Sequence, residues 1–192
     1  NKLKRMKQSI LVLRYAKALL ELAEQKDLVD KILYDLKLVK NTIEENKELR
    51  TLIGQPFVSK THKKNILSKI FKDKIADITI DFLNLLIDKN REEIMCFVYD
   101  SYYELYLELK KIAVVTIISA VPLDERTTNR IVNILKYKIV DKDTIEIKNI
   151  VDKSIIGGFK VNYKDYQYDA SVQDTLRRLH SAFGKNLYVK TY

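Results

Sequence analysis

Residues 113–118 read Ala113, Val114, Val115, Thr116, Ile117, Ile118, and the reading of this stretch decides the fold. Five of its six side chains are β-branched, which stiffens χ1 and suits a pleated strand, and the run is too short for a free-standing helix. Upstream the pattern differs in kind: from Ile10 to about Lys110 apolar residues recur at helical spacing, and the breaks are short and polar. The chain therefore divides into a helical domain, residues 1–110, and a mixed domain, 111–192, that opens on a strand. The expected fold class is α+β, a six-helix N-terminal bundle followed by a small α/β domain with a β-sheet and two helices.

Working back from the strand, a helix carries Ile94, Phe97, Val98, Tyr102, Leu105 and Leu109, and another runs from Ile78 through Phe82, Leu83, Leu86 and Ile87 to Asn90. Before them Ser59 or Thr61 can cap a helix bearing Ile66, Leu67, Ile70 and Phe71. A short element, Leu49 to Ile53, ends at Gly54. Val29, Ile32, Leu33, Leu36, Val39 and Ile43 mark the second helix, which fades in the charged residues 44–48. In the first helix Arg14, Lys17, Glu21 and Glu24 leave a broad apolar face of Leu13, Tyr15, Ala16, Leu19, Leu20, Leu22 and Ala23. That face is wider than a small bundle needs to bury.

Working forward, Pro122 stops the strand, Asp124 can cap a helix with Ile131, Ile134, Leu135 and Ile139, and Thr144 to Ile150 alternates as a second strand. Ile156 to Tyr163 is strand-like and resumes at Tyr166 to Asp169 after a two-residue turn, Lys164 and Asp165. Ser171, with Asp174 three residues on, has the form of a capping box opening a final helix with Val172, Leu176, Leu179 and Phe183 on one side.

Composition bounds the function. Of 192 residues 46% are hydrophobic and 32% charged, with 4 Gly and 2 Pro, so most of the chain should be regular structure. No apolar run approaches the roughly 20 residues that cross a bilayer. The single cysteine, Cys96, excludes an internal disulfide and reads as a small buried hydrophobe. A net charge of +9 asks for acidic partners. It is spread evenly, with 21 basic and 17 acidic side chains in residues 1–110 and 14 and 9 in residues 111–192, which suits a solvated surface more than a nucleic-acid stripe. The basic run Lys2, Lys4, Arg5, Lys7 reads as a frayed, solvated terminus.

No local signature of catalysis, cofactor binding or metal ligation is present: His62 and His180 stand far apart, each among polar residues. Gly157 and Gly158 before Lys160 lack the spacing of a phosphate-binding loop, so the glycines read as a bulge or a close backbone approach within a strand. Tyr99, Tyr102, Tyr103 and Tyr106 interleave with charge as a single-strand-binding platform would, but they sit at core and flank spacing of one helix. A basic helical adaptor for nucleic acid is the alternative reading.

A further set of residues runs the length of the chain. Arg14, Tyr15, Ala16, Lys17, Ala18, Leu19 comes first; then Pro56, Phe57, Val58, Phe82, Leu83 and the pair Asn90, Arg91; then Ser119, Ala120, Val121, Pro122, Leu123. Last come residues 151–161, with Asp152, Gly157 and Gly158, and after them Asp169, Ala170, Ser171, Val172 and Leu176. In type and order they resemble the delta subunit family of rotary F-type ATP synthases, whose mitochondrial counterpart is the oligomycin-sensitivity-conferring protein. Lys164, Asp165 departs from the Gly-Asp that many members carry in the hairpin turn.

The resemblance implies a non-catalytic stator subunit, without cofactor, that links the catalytic head to the peripheral stalk and resists torque during proton-driven ATP synthesis. It implies that the helical domain holds the N-terminal helix of an alpha subunit and the smaller domain engages the b subunits. The alpha-binding groove is expected between the first and fifth helices, lined by Tyr15, Leu19, Leu22, Leu83, Leu86 and Ile87. The implied location is peripheral, on the cytoplasmic face of a bacterial plasma membrane, or on the matrix face of the mitochondrial inner membrane. The absence of a long leader resembles the bacterial form.

Overall fold

Helix α1 spans Lys2–Gln25 and buries one stripe, Val12, Ala16, Leu19, Leu20 and Ala23, while Arg14, Lys17, Glu21 and Glu24 stay exposed. The structure is a computed structural model that describes residues 2–138, 142–152, 154–164 and 166–184, with side-chain surroundings for 10–135, 142–152, 154–164 and 166–181. The backbone is helical back to Lys2, through the run expected to fray. Five more helices complete the first unit, Asn1–Leu109: α2 (Val29–Glu45), α3 (Lys47–Gly54), α4 (Lys60–Phe71), α5 (Asp77–Asp88) and, after a 3₁₀ turn at Glu92–Ile94, α6 (Met95–Leu109).

Helix α3 begins earlier than its apolar residues suggest. Only Asn46 breaks the helical run, with φ −102° and ψ 94°, and its side-chain amide donates to the Thr42 carbonyl at 2.9 Å. Ser59 is the α4 cap, accepting from the His62 amide at 3.3 Å. The core joins Ala16, Leu19 and Ala23 of α1 to Ile32, Leu36 and Val39 of α2, Leu83, Leu86 and Ile87 of α5, and Val98 and Tyr102 of α6.

The second unit, Lys110–Tyr192, is a four-stranded mixed sheet in the order β2-β1-β3-β4. Its strands are β1 (Ile112–Ser119), β2 (Thr144–Val151), β3 (Phe159–Tyr163) and β4 (Tyr166–Asp169), and helices α7 (Glu125–Lys138) and α8 (Val172–Gly184) complete it. β1 pairs in parallel with β2 through the α7 crossover and antiparallel with β3, the register setting Val115 beside Ile147 and Ile117 beside Val161. Alternate β1 residues are buried, as a strand with one covered face requires. Val115, Ile117 and Val161 pack with Ile131 and Leu135 of α7. The sequence expectation that β3 starts at Ile156 is corrected: Gly158 has φ +80°, outside the extended region, so the strand begins at Phe159. Ile139 and Asp165 lie outside the described residues, and Phe183 lies outside the described side chains.

Candidate functional site

Two helices with more apolar surface than the core can absorb frame an open groove in the first unit. Along α1, Tyr15, Ala18, Leu19, Leu22 and Lys26 recur at i, i+3, i+4, i+7 and i+11; along α5, Ile78, Asp81, Phe82 and Leu85 recur at i, i+3, i+4 and i+7. Each set is one continuous helical stripe. With Arg14 they line a depression of about 610 Å³. Tyr15 and Phe82 meet edge to face across it, with ring centroids 6.3 Å apart and planes at 71°, a favoured aromatic geometry. Leu22 and Leu85 are 45% and 44% exposed. Arg14 and Lys26 stand on the α1 rim and Asp81 on the α5 rim.

Of the sequence-derived groove residues, Tyr15, Leu19 and Leu22 line this depression. Leu83, Leu86 and Ile87 do not, being 2%, 0% and 0% exposed within the core. Ile78, Phe82 and Leu85 take their place. Outside the polar stripe of Asp77, Asp81, Asn84 and Asp88, helix α5 has an apolar face wider than one buried stripe, so periodicity alone does not say which part of it faces inward.

The remaining motif residues form a structural joint in the second unit. A Cβ on Gly158 would lie 2.3 Å from the Ala170 carbonyl oxygen, and one on Gly157 would lie 3.1 Å from Val172 Cγ2. The Ala170 amide donates to the Phe159 carbonyl and the Val172 amide to the Gly157 carbonyl, both at 3.0 Å. The glycines thus permit close backbone approach between residues 157–159 and 170–172. The Asp169 carboxylate accepts from the Ser171 amide at 2.9 Å and pairs with Lys160 at 3.2 Å. Those bonds, the Ser171 contribution largest, hold its pKa down at about 2. Ser171 Oγ accepts from the Asp174 amide at 3.2 Å, capping α8. Asp152 accepts from the Ser154 amide at 2.9 Å, and that hydrogen bonding lowers its pKa.

The other singled-out residues have packing roles. Tyr102, fully buried, donates to the Val29 carbonyl at 3.2 Å, and desolvation raises its pKa above the normal tyrosine range. Tyr106 donates to Asp30 at 2.7 Å, and Tyr99 stacks on Tyr103 under Lys40. Cys96 is partly rather than fully buried, and burial pushes its thiol up. His62 and His180 are exposed on α4 and α8. On α8, Val172, Leu176 and Leu179 form an exposed apolar stripe, at 43%, 53% and 49%. Among the described residues no helix is long and apolar enough to cross a membrane, and no three His, Cys, Asp or Glu side chains are grouped to hold a metal.

The family model described as ATP synthase delta (OSCP) subunit matches residues 11–183. Proteins named ATP synthase subunit delta are similar to the chain nearly end to end. That of Acetivibrio thermocellus is 38% identical over 170 residues, covering 88% of this chain and 94% of the relative. That of Halalkalibacterium halodurans is 35% identical over 167 residues, covering 87% and 91%. Among solved structures, a chain of the Toxoplasma gondii mitochondrial ATP synthase hexamer shares the fold, with a TM-score of 0.62 at 23% identity over 92% of this chain and 99% of that one.

Proposed function

Because the chain belongs to the ATP synthase delta (OSCP) subunit family, and so is a non-catalytic stator subunit of a rotary F-type ATP synthase, we propose a division of labour between its two units. The first unit holds the N-terminal helix of an alpha subunit in the α1–α5 groove. The second engages the b subunits of the peripheral stalk through the apolar stripe of α8. The observation that carries the reading is the groove itself: two facing helical stripes, apolar at the floor, charged at the rims and half open to solvent. An amphipathic helix docking by i, i+3, i+4 and i+7 anchors matches such a surface.

The mechanics follow from the role. Rotation within the head generates an equal reaction torque, and a static link must carry it if proton flow is to drive synthesis. Two binding surfaces on separate folding units let one chain grip the head and the stalk at once. The member sits peripherally at the membrane that holds its synthase, which for a bacterial member is the cytoplasmic face of the plasma membrane.

The test is recovery of synthase subunits from detergent-solubilised membranes on the tagged chain. Leu85→Glu is expected to lose the alpha subunit while keeping b, and Leu176→Glu to lose b while keeping alpha. Loss of alpha from Leu176→Glu alone would reverse the division.

A further inference from the structure

Helix α5 lacks a cap of its own: its N-cap position is Ala76, which has no side-chain oxygen to offer. The missing acceptor comes from another helix. Asp35 of α2 is fully buried, and its Oδ2 accepts from the Ala76 amide at 2.7 Å and from the Thr79 hydroxyl, itself buried, at 3.1 Å. Lys31, one turn back on α2, brings its Nζ within 3.2 Å of Oδ1. At the other end of α5, Lys60 of α4 donates to the Asp88 carbonyl at 2.8 Å and Lys64 pairs with the Asp88 carboxylate at 2.6 Å. An anionic group at the N-terminus and cations at the C-terminus both complement the helix dipole. The groove wall is thereby fixed at its two ends by side chains of its neighbours.

The two ends are not equivalent. The lysine contacts are exposed and screened, so each is worth little. The Asp35 carboxylate is fully buried, and removing it would strand the part-buried Ala76 amide and the buried Thr79 hydroxyl. It also lies against the first turn of α5, where Ile78 begins the groove stripe.

We propose that Asp35 is a positioning residue for the groove: by capping α5 from α2 it fixes the register of Ile78, Phe82 and Leu85 toward the docked helix. This rests on the groove being the alpha-subunit site. Asp35 touches no partner, and acts through α5 alone.

The probe is a synthetic peptide of the first ~25 residues of the alpha subunit of the same synthase, titrated against the full chain at a temperature where every variant is folded. Asp35→Ala is expected to weaken the peptide on the order of tenfold, within the range by which residues outside a site change binding at it. Amide exchange at Ala76–Ile80 should speed up in the same variant. Thr79→Val, which removes only the hydroxyl, should show a smaller effect in the same direction, and Asp35→Asn, which keeps one acceptor, should retain part of the affinity. Ile43→Val thins the same core away from α5 and should leave affinity unchanged, separating position from stability. Wild-type affinity with unchanged exchange at Ala76–Ile80 in Asp35→Ala, or an equal loss in Ile43→Val, would overturn the proposal. If the wild-type chain does not bind the peptide, the groove reading falls, and the exchange arm still decides whether Asp35 sets α5.

Discussion

At Gly158 the backbone sits at φ +80° and a side chain would meet the Ala170 carbonyl at 2.3 Å. Gly158→Ala is therefore expected to lower stability by roughly 1–3 kcal/mol through the backbone conformation alone, with the clash adding to it. Gly157→Ala meets only the tip of Val172 at 3.1 Å and should cost less; urea unfolding of the two variants side by side checks the order. Asp169 makes a second prediction. Its folded pKa of about 2 lies below that of a free aspartate, ~3.9, so it stabilises the fold above pH ~4, and that contribution is lost as pH falls through about 2. In Asp169→Asn the melting temperature at neutral pH should drop and its decline between pH 4 and 2 should flatten. The same decline in wild type and variant would show that Asp169 is not the group responsible. The sequence pointed to Asp169, Ser171 and the glycine pair, but their contacts span residues 157–172 and become visible only when β3, β4 and α8 are folded together.

Among the elements, α5 shows where reading by periodicity stops. Its existence and span follow from Ile78, Phe82, Leu83, Leu86 and Ile87, yet outside the polar stripe of Asp77, Asp81, Asn84 and Asp88 its apolar face is wider than one buried stripe. Which part of its apolar face is buried is settled by packing against α4 and α2, and that moved Leu83, Leu86 and Ile87 from groove to core. Glutamate at Leu83 or Leu86 should consequently unfold the bundle rather than unseat a partner, since it would bury an unpaired charge; circular dichroism of the variants checks this. The contrast between α7 and α8 is of the same kind. Leu135 is 5% exposed and packs on the sheet, so Leu135→Ala should cost about 2–5 kcal/mol. Leu179 is half exposed on α8, so Leu179→Glu should leave the melting temperature within a few degrees of wild type. A large drop would mean that the α8 stripe is covered within the chain and is not a surface for the stalk.

At the scale of the whole molecule, the handover at Lys110–Ile112 was legible because the hydrophobic period changes there, from helical to alternating. The structure comprises two compact units, Asn1–Leu109 and Lys110–Tyr192, and Lys111 adopts φ 52° just before β1. Trypsin is expected to cut first at Lys110 or Lys111, giving two fragments that mass spectrometry identifies; first cleavage at Lys31, Lys37 or Lys40 within α2 would argue against independent units. The partners were not legible from periodicity or charge, because a half-buried helical stripe looks the same whether it faces a core or another protein. What fills the α1–α5 groove decides the role of the first unit. Calorimetric titration of the alpha N-terminal peptide into the intact chain, with Leu85→Glu and Leu176→Glu as variants of unchanged fold, tests it most directly. Binding by wild type and Leu176→Glu alike, weakened at least about 30-fold, or ~2 kcal/mol, in Leu85→Glu, is the expected result. Undiminished binding by Leu85→Glu, or loss confined to Leu176→Glu, would contradict it.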